Sequence, residues 1–107
     1  MPKWLPMCLT RIRELAGRGR VDFTYKALRE LAVMGTGLDR EDACDVLSRL
    51  EEDDWHSRVR STGTGEWLYI FKPVVAEMVV YVKLAIRRNC LLVSFHEDEG
   101  ISDDEAS

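Results

Sequence analysis

Hydrophobic residues in the first half of the chain recur at helical spacing, which predicts three helices. The predicted helices run over Arg11–Ala16, Tyr25–Met34 and Arg40–Leu50. Thr10, Thr24 and Asp39 stand directly before them, where a side-chain oxygen accepts from the free N–H groups of the first turn. Glycines after the first two helices end them. A short extended piece, 21–23, is predicted between these two helices.

The second half of the chain changes to an alternation of hydrophobic and polar residues, which is typical of strands. The predicted strands cover residues 54–62, 66–71, 77–86 and 90–95, and Gly63-Thr64-Gly65 forms a turn. Helices followed by strands predict an α+β fold, in which the N-terminal helices pack on a C-terminal antiparallel β-sheet.

The last two strands are predicted to form a hairpin around a two-residue turn, Arg88-Asn89, the commonest hairpin length. In this register Leu84 faces Val93 and Val82 faces Phe95. The β-branched and aromatic residues then collect on one side, and a buried face selects such a register.

The same register places polar side chains together on the opposite side of the hairpin. Lys83 lies opposite Ser94, and Tyr81 lies opposite His96. An imidazole moves protons near neutral pH, an ammonium group stabilises a charged phosphate, and a phenol donates a hydrogen bond. These residue types suit RNA cleavage without a metal. The alternative left open is a partly exposed sheet edge with no chemistry.

A second polar row lies on the first long strand. Alternation puts His56, Arg58 and Arg60 on one face of it, and arginine contacts phosphate with two parallel hydrogen bonds. The row therefore suits an RNA-facing surface. It equally suits a solvated edge strand, which charges protect from aggregation.

The negative charge of the chain is concentrated at its end. The formal net charge is −4, but residues 97–107 contain six acidic and no basic residues. We predict one domain over residues 1–96 and an acidic, disordered tail over 97–107. The predicted domain has 15 basic and 13 acidic residues, so its mild positive charge permits a phosphate-rich ligand.

Three cysteines, Cys8, Cys44 and Cys90, lie in hydrophobic segments without metal-ligand spacing. We interpret them as reduced, buried side chains, and we predict no metal and no cofactor. No hydrophobic run approaches the roughly 20 residues that cross a bilayer. The predicted location is the cytoplasm, with no membrane partner.

Several ordered segments resemble the MqsR toxin family. They are Val80–Leu84 with Leu91–Phe95, the aromatic segment Trp67–Pro73, the acidic segment Leu50–Trp55, and Gly37-Leu38-Asp39. The resemblance runs from about residue 9 to residue 97. It implies a RelE-like fold and a metal-independent endoribonuclease that cleaves mRNA in a type II toxin–antitoxin system. It also implies a cognate antitoxin, and contact with DNA only through the antitoxin complex.

The resemblance carries site residues onto this chain only in part. Tyr81 matches a tyrosine of the family's active site, and His96 stands where the family usually has a lysine. The family's lysine on the first long strand falls at Ser57, and its glutamine after the tryptophan falls at Leu68.

The predicted catalytic residues are therefore a mixture of family positions and neighbours. We predict that His96 or His56 transfers the proton and that Tyr81 is a hydrogen-bond donor or an orienting group. Arg58 and Lys83 are predicted to contact the phosphate. Further RNA contacts are predicted for two remaining cations, Arg60 and Arg87. The rival hypothesis is a non-catalytic RNA- or protein-binding module on the same fold.

Overall fold

The structure, a computed structural model, describes residues 1–34 and 37–98. The helices in these ranges are α1 (Leu5–Gly17), α2 (Tyr25–Val33) and α3 (Arg40–Ser48), with a 3-10 turn at Glu52–Asp54. The strands are β1 (Val21–Phe23), β2 (Trp55–Arg60), β3 (Trp67–Phe71), β4 (Val74–Val75), β5 (Met78–Ile86) and β6 (Cys90–Glu97). The predicted α+β fold is confirmed, and its helices precede the main strands as in the RelE-like arrangement. No helix in the described ranges is long and apolar enough to span a membrane.

The sheet runs in the order β1-β6-β5-β3-β2, with β4 paired to β5 beside this path. Its pairs are antiparallel except one: β1 lies parallel to β6, with Val21 opposite Cys90. Strands β2 to β6 form the predicted antiparallel sheet, and the short β1 adds a parallel strand at its edge. Val21 and Phe23 pack against the hydrophobic core, which explains why this short piece joins the sheet.

Local capping chemistry defines the starts of α2 and α3. Thr24 Oγ1 accepts from the backbone N–H of Ala27 at 3.0 Å. Asp39 and Asp42 form a capping box, in which each side chain accepts from the other's backbone N–H at 2.9 Å. The predicted caps at Thr24 and Asp39 are confirmed.

Helix α1 begins six residues earlier than predicted, at Leu5. Thr10 is not a cap but lies inside the helix, where its hydroxyl donates to the carbonyl of Pro6 at 3.0 Å. Pro6 occupies the first turn, where the missing N–H costs no hydrogen bond. Burial of Leu5 and Leu9 in the core extends the helix toward the N-terminus.

The sheet has a core face, which packs against the helices, and an opposite open face. The core face carries Phe71, Val80, Val82, Leu84, Cys90, Leu92 and Phe95, which join the buried residues of the helices in one cluster. The open face carries Tyr81, Lys83, Ser94 and His96, because successive side chains of a strand point to opposite sides. This distinction decides which predicted site residues meet.

The β5–β6 hairpin differs from the prediction near its turn. The turn has three residues, Arg87–Asn89, so that Ile86 pairs with Cys90 and Leu84 pairs with Leu92. Val93 is then an extra residue in β6, and this β-bulge shifts the register by one. Cys90 and Leu92, rather than Leu91 and Val93, therefore face the core.

The C-terminal end of β6 is still paired with β5 in the sheet. The strand includes Glu97, and the backbone N–H of Asp98 donates to the carbonyl of Val79 at 2.8 Å. The Asp98 carboxylate lies 3.4 Å from Lys72 Nζ. The first two residues of the predicted tail thus contact the domain, and the remainder, 99–107, lies outside the described residues.

Candidate active site

Tyr81 and His96 stack on each other on the open face. The two residues are cross-strand partners of β5 and β6, and their ring centroids are 4.9 Å apart with an interplanar angle of 13°. The predicted pairing of these residues is confirmed. Both side chains are half-buried, so that the pair is held in place and still reaches solvent.

A backbone contact defines the proton position on the His96 ring. Its Nδ1 lies 2.8 Å from the carbonyl oxygen of Glu97. A carbonyl only accepts, so Nδ1 carries the proton that it donates. In the neutral ring Nε2 then has the lone pair that accepts a proton from a substrate hydroxyl.

Lys83 supplies a half-buried cation next to this ring pair. It lies opposite Ser94 in the confirmed register, and its Nζ is 6.0 Å from the centroid of the Tyr81 ring. Burial lowers the pKa of Lys83, the positive charge of Lys26 lowers it further, and Glu30 opposes both effects. An ammonium group in such an environment gains stability when an anion approaches.

Lys26 on α2, which was not among the predicted site residues, also reaches the open face. Its Nζ donates to Ser94 Oγ at 2.6 Å and pairs with Glu30 Oε2 at 2.8 Å. Ser94 is 1% exposed. Lys26 and Ser94 are 68 positions apart, and no spacing rule joins them.

The row on β2 divides between the two faces. His56 is an extra residue at a bulge, because Trp55 pairs with Phe71 and Ser57 pairs with Ile70. The expected single face of His56, Arg58 and Arg60 is therefore wrong. Arg58 pairs with Tyr69, and Tyr69 in turn pairs with Leu84, whose side chain lies on the core face. Arg58 therefore belongs to the core face.

Stacking on indole rings holds both arginines of β2 on the core face. The guanidinium of Arg58 lies 4.2 Å from the centroid of the Trp4 ring and 3.7 Å from that of Trp67. Arg60 lies 4.2 Å from Trp67 and donates to the carbonyl of Gly65 at 2.7 Å. The structure thus does not bring Arg58 or Arg60 together with the polar residues of the open face.

We expect Arg58→Ala to lower the free energy of unfolding by about 1–2 kcal/mol, because it removes a cation from two indole faces. Urea unfolding followed by tryptophan fluorescence measures the change. Arg49→Ala is the control, since the Arg49 side chain is 78% exposed and pairs with Asp45 of α3; a change below about 0.5 kcal/mol is expected there. Equal stability of the two variants would contradict the stacking argument.

Arg87 is engaged in an ion pair with another side chain of the protein. Its guanidinium donates to both carboxylate oxygens of Glu66, at 2.6 Å and 3.1 Å. Hydrogen bonding to Arg87 lowers the pKa of Glu66. The predicted RNA contact of Arg87 stays a prediction, and an incoming phosphate would have to compete with this carboxylate.

The described residues contain no group of three or more His, Cys, Asp or Glu side chains arranged to hold a metal ion. The three cysteines are free thiols; Cys8 and Cys90 are buried as predicted, whereas Cys44 is only half-buried, against the prediction. Burial raises the pKa of Cys8 to about 11 and that of Cys90 to about 12. These two thiols are not nucleophiles at neutral pH, because the thiolate is the reactive form.

Comparison with known proteins places this arrangement in a family. Residues 6–97, from the first turn of α1 to the last residue of β6, match the family described as motility quorum-sensing regulator, toxin of MqsA. The chain belongs to the MqsR toxin family. A relative, the mRNA interferase toxin MqsR of Escherichia coli strain K12, is 29% identical over 90 residues, which cover 83% of this chain and 90% of the relative.

Two of the positions at which the resemblance finds a difference from the MqsR pattern lie on the open face. They are Ser57 and Leu68, where the resemblance places a lysine and a glutamine, and they belong to this face because Ser57 pairs with Ile70 and Ile70 with Lys83. The bulge brings His56 to the same place, with its Nδ1 2.9 Å from Ser57 Oγ. An exposed imidazole thus lies beside the position of the missing lysine.

Proposed function

We propose that this chain is a toxin that cleaves mRNA and inhibits translation, and that a cognate antitoxin neutralises it. The observation that carries the proposal is the stacked Tyr81–His96 pair with Lys83 beside it on the open face. Membership of the MqsR toxin family supports the antitoxin partner. The relative from Escherichia coli, an mRNA interferase toxin, supports the reaction. The mRNA substrate suggests action in the cytoplasm.

The proposed reaction needs an acid, a base and a cation. His96 Nε2 takes the proton from the ribose 2′-hydroxyl, whose oxygen attacks the phosphorus. Lys83 stabilises the negative charge that grows on the phosphate oxygens. As the bond from phosphorus to the 5′-oxygen breaks, Tyr81 donates its proton to this leaving oxygen, and the proton held by His96 then returns through water to Tyr81. These side chains perform each step themselves, so the proposed cleavage is metal-independent.

His56 is proposed as a second polar contact in this site. Its imidazole lies at the β2 bulge beside Ser57, where the resemblance places a family lysine. From there it donates a hydrogen bond to a phosphate or a base of the bound strand. β2 and β5 are separated by one strand, so His56 is about 10 Å from the line of Tyr81 and Lys83. This distance suits a neighbouring nucleotide.

A second candidate function is a non-catalytic module that binds RNA or protein through the same face. The specific observation in its favour is Leu68, which puts an apolar side chain where the resemblance places a family glutamine. Such a module would bind RNA without cutting it, or would bind a protein partner alone.

We expect the purified chain to degrade mRNA in the presence of EDTA, leaving a 2′,3′-cyclic phosphate on one product and a 5′-hydroxyl on the other. An RNA with a 2′-deoxy residue at the cleaved position is the matched control, and it should stay intact because the nucleophile is gone. Activity that EDTA abolishes and magnesium restores would contradict the metal-independent mechanism.

Expression in cells separates the two candidate functions. The toxin should arrest growth, and the product of a neighbouring gene should relieve the arrest. Indifferent growth together with intact RNA would favour the non-catalytic module.

A further inference from the structure

Helix α2 lies along the outer edge of β6, where it buries Ala27 and Leu31 in the core and also contacts the strand through polar groups. Thr24 donates through its backbone N–H to the carbonyl of Leu92 at 3.0 Å and through its hydroxyl to that of Val93 at 3.1 Å. Glu30 Oε1 accepts from the backbone N–H of Phe95 at 2.9 Å. These contacts hold α2 beside the strand that carries His96. The first turn of α2 is thereby placed at the border of the open face.

Lys26 occupies this first turn, where a cation is electrostatically unfavourable. The N-terminus of a helix carries partial positive charge, and α2 has no acidic residue in its first turn to compensate. Lys26 is nevertheless directed at the sheet, with 57% of its side chain exposed and its Nζ 2.6 Å from Ser94 Oγ. One hydrogen bond to a hydroxyl does not require a charged donor at this position.

A second ammonium group lies within electrostatic range of the first. Lys83 faces Ser94 across the hairpin, and the charge of Lys26 contributes to lowering its pKa. Glu30, whose carboxylate contacts Lys26, divides its two oxygens between Lys26 and the backbone N–H of Phe95. Among the described residues, the two cations and this one carboxylate leave a local positive charge, which an anion would compensate.

We propose that Lys26 and Lys83 together bind one phosphate group of the RNA strand, and that Ser94 positions Lys26 for this contact. The inference rests on the proposed function only for the identity of the ligand as RNA. The pair lies beside Tyr81 and His96, so the bound phosphate is the one at the cleaved bond. Helix α2 therefore contributes a phosphate contact to a site otherwise built from the sheet.

The first experiment uses inorganic phosphate as the probe and does not depend on cleavage. Isotope-labelled lysine side chains report the pH titration of Lys83 by NMR, with and without phosphate. Phosphate should raise the pKa of Lys83 in the wild-type chain, because a bound anion favours the ammonium form. Chloride at equal ionic strength is the control for screening.

Variants of α2 test the part played by Lys26. Lys26→Gln should weaken phosphate binding roughly tenfold, and Lys26→Arg should retain most of it because the charge remains. Arg29→Gln is the matched control, since it removes the same charge from the same helix, and Arg29 packs over Tyr25 instead. Wild-type affinity in Lys26→Gln, or an equal loss in Arg29→Gln, would overturn the inference.

The second experiment uses a short RNA whose 2′-hydroxyls are methylated, which is bound but not cut. The slope of log affinity against log salt should fall by about 0.7 in the double variant Lys26→Gln/Lys83→Gln, which removes both cations from this phosphate and so one phosphate contact on a single strand. A wild-type slope in this variant would overturn the inference even if the wild-type chain cleaves mRNA. Phosphate binding at Lys83 without cleavage of any RNA would instead refute the proposed function and retain the anion site.

Discussion

Tyr81→Phe and His96→Ala are each expected to slow mRNA cleavage by more than roughly tenfold, because each removes a group that moves a proton in the proposed reaction. Tyr81→Phe keeps the ring and therefore the stack on His96, so the loss reports the hydroxyl alone. Initial rates on one mRNA in EDTA measure the effect, with each variant's folded fraction determined by circular dichroism.

Tyr25→Phe is the matched control for the loss of a phenol hydroxyl. Tyr25 is 76% exposed on α2, so this variant makes the same chemical change outside the open face, and its rate should equal that of the wild type. Undiminished cleavage by both Tyr81→Phe and His96→Ala would remove the assignment of the active site to this face.

Lys83→Met is expected to lower the cleavage activity without lowering the stability of the fold. The cleavage rate should fall by more than about tenfold, because the cation that stabilises the phosphate is lost. The free energy of unfolding should not fall, because methionine fills a similar space without the cost of burying a charge. A residue kept at the expense of stability is typical of a functional site.

The pH dependence of stability provides a second measurement for Lys83. Burial and the charge of Lys26 lower its pKa in the folded state below the ordinary value of 10.5, against the effect of Glu30. His96 and Tyr81 are the other titratable groups on the open face beside it. Between the lowered pKa and 10.5 the unfolded chain binds more protons, so the contribution of Lys83 to stability increases with pH.

Urea unfolding at a series of pH values up to about 10 should show this increase in the wild type and its absence in Lys83→Met. Lys3→Met is the control, because Lys3 is exposed near the N-terminus. A Lys83→Met variant that is less stable than the wild type and cleaves RNA normally would refute both the burial cost and the proposed role.

Two of the three predicted helix caps are confirmed. The caps at Thr24 and Asp39 join groups within one helical turn, whereas Thr10 lies inside α1. The start of α1 was missed because burial of Leu5 against the sheet extends the helix beyond its strongest local signal. A capping residue marks the end of a helix only where tertiary packing does not extend the helix beyond it.

The pairing of Tyr81 with His96 was predicted although the turn was not. The three-residue turn shifts the register by one, and the bulge at Val93 shifts it back before Lys83 meets Ser94. The two deviations cancel at the site. Burial of hydrophobic side chains on the core face constrains the register along the strand, and the turn length and the bulge accommodate it.

The sequence by itself determined the element types, the helix caps, and the amphipathic hairpin that places a phenol and an imidazole on one side. Only the tertiary structure decided that Arg58 stacks between Trp4 and Trp67 on the core face, and that Lys26 reaches Ser94 from α2. The physical reason is that periodicity reports the two sides of one element. Contacts between elements depend on bulges and on packing, which join residues far apart in the chain.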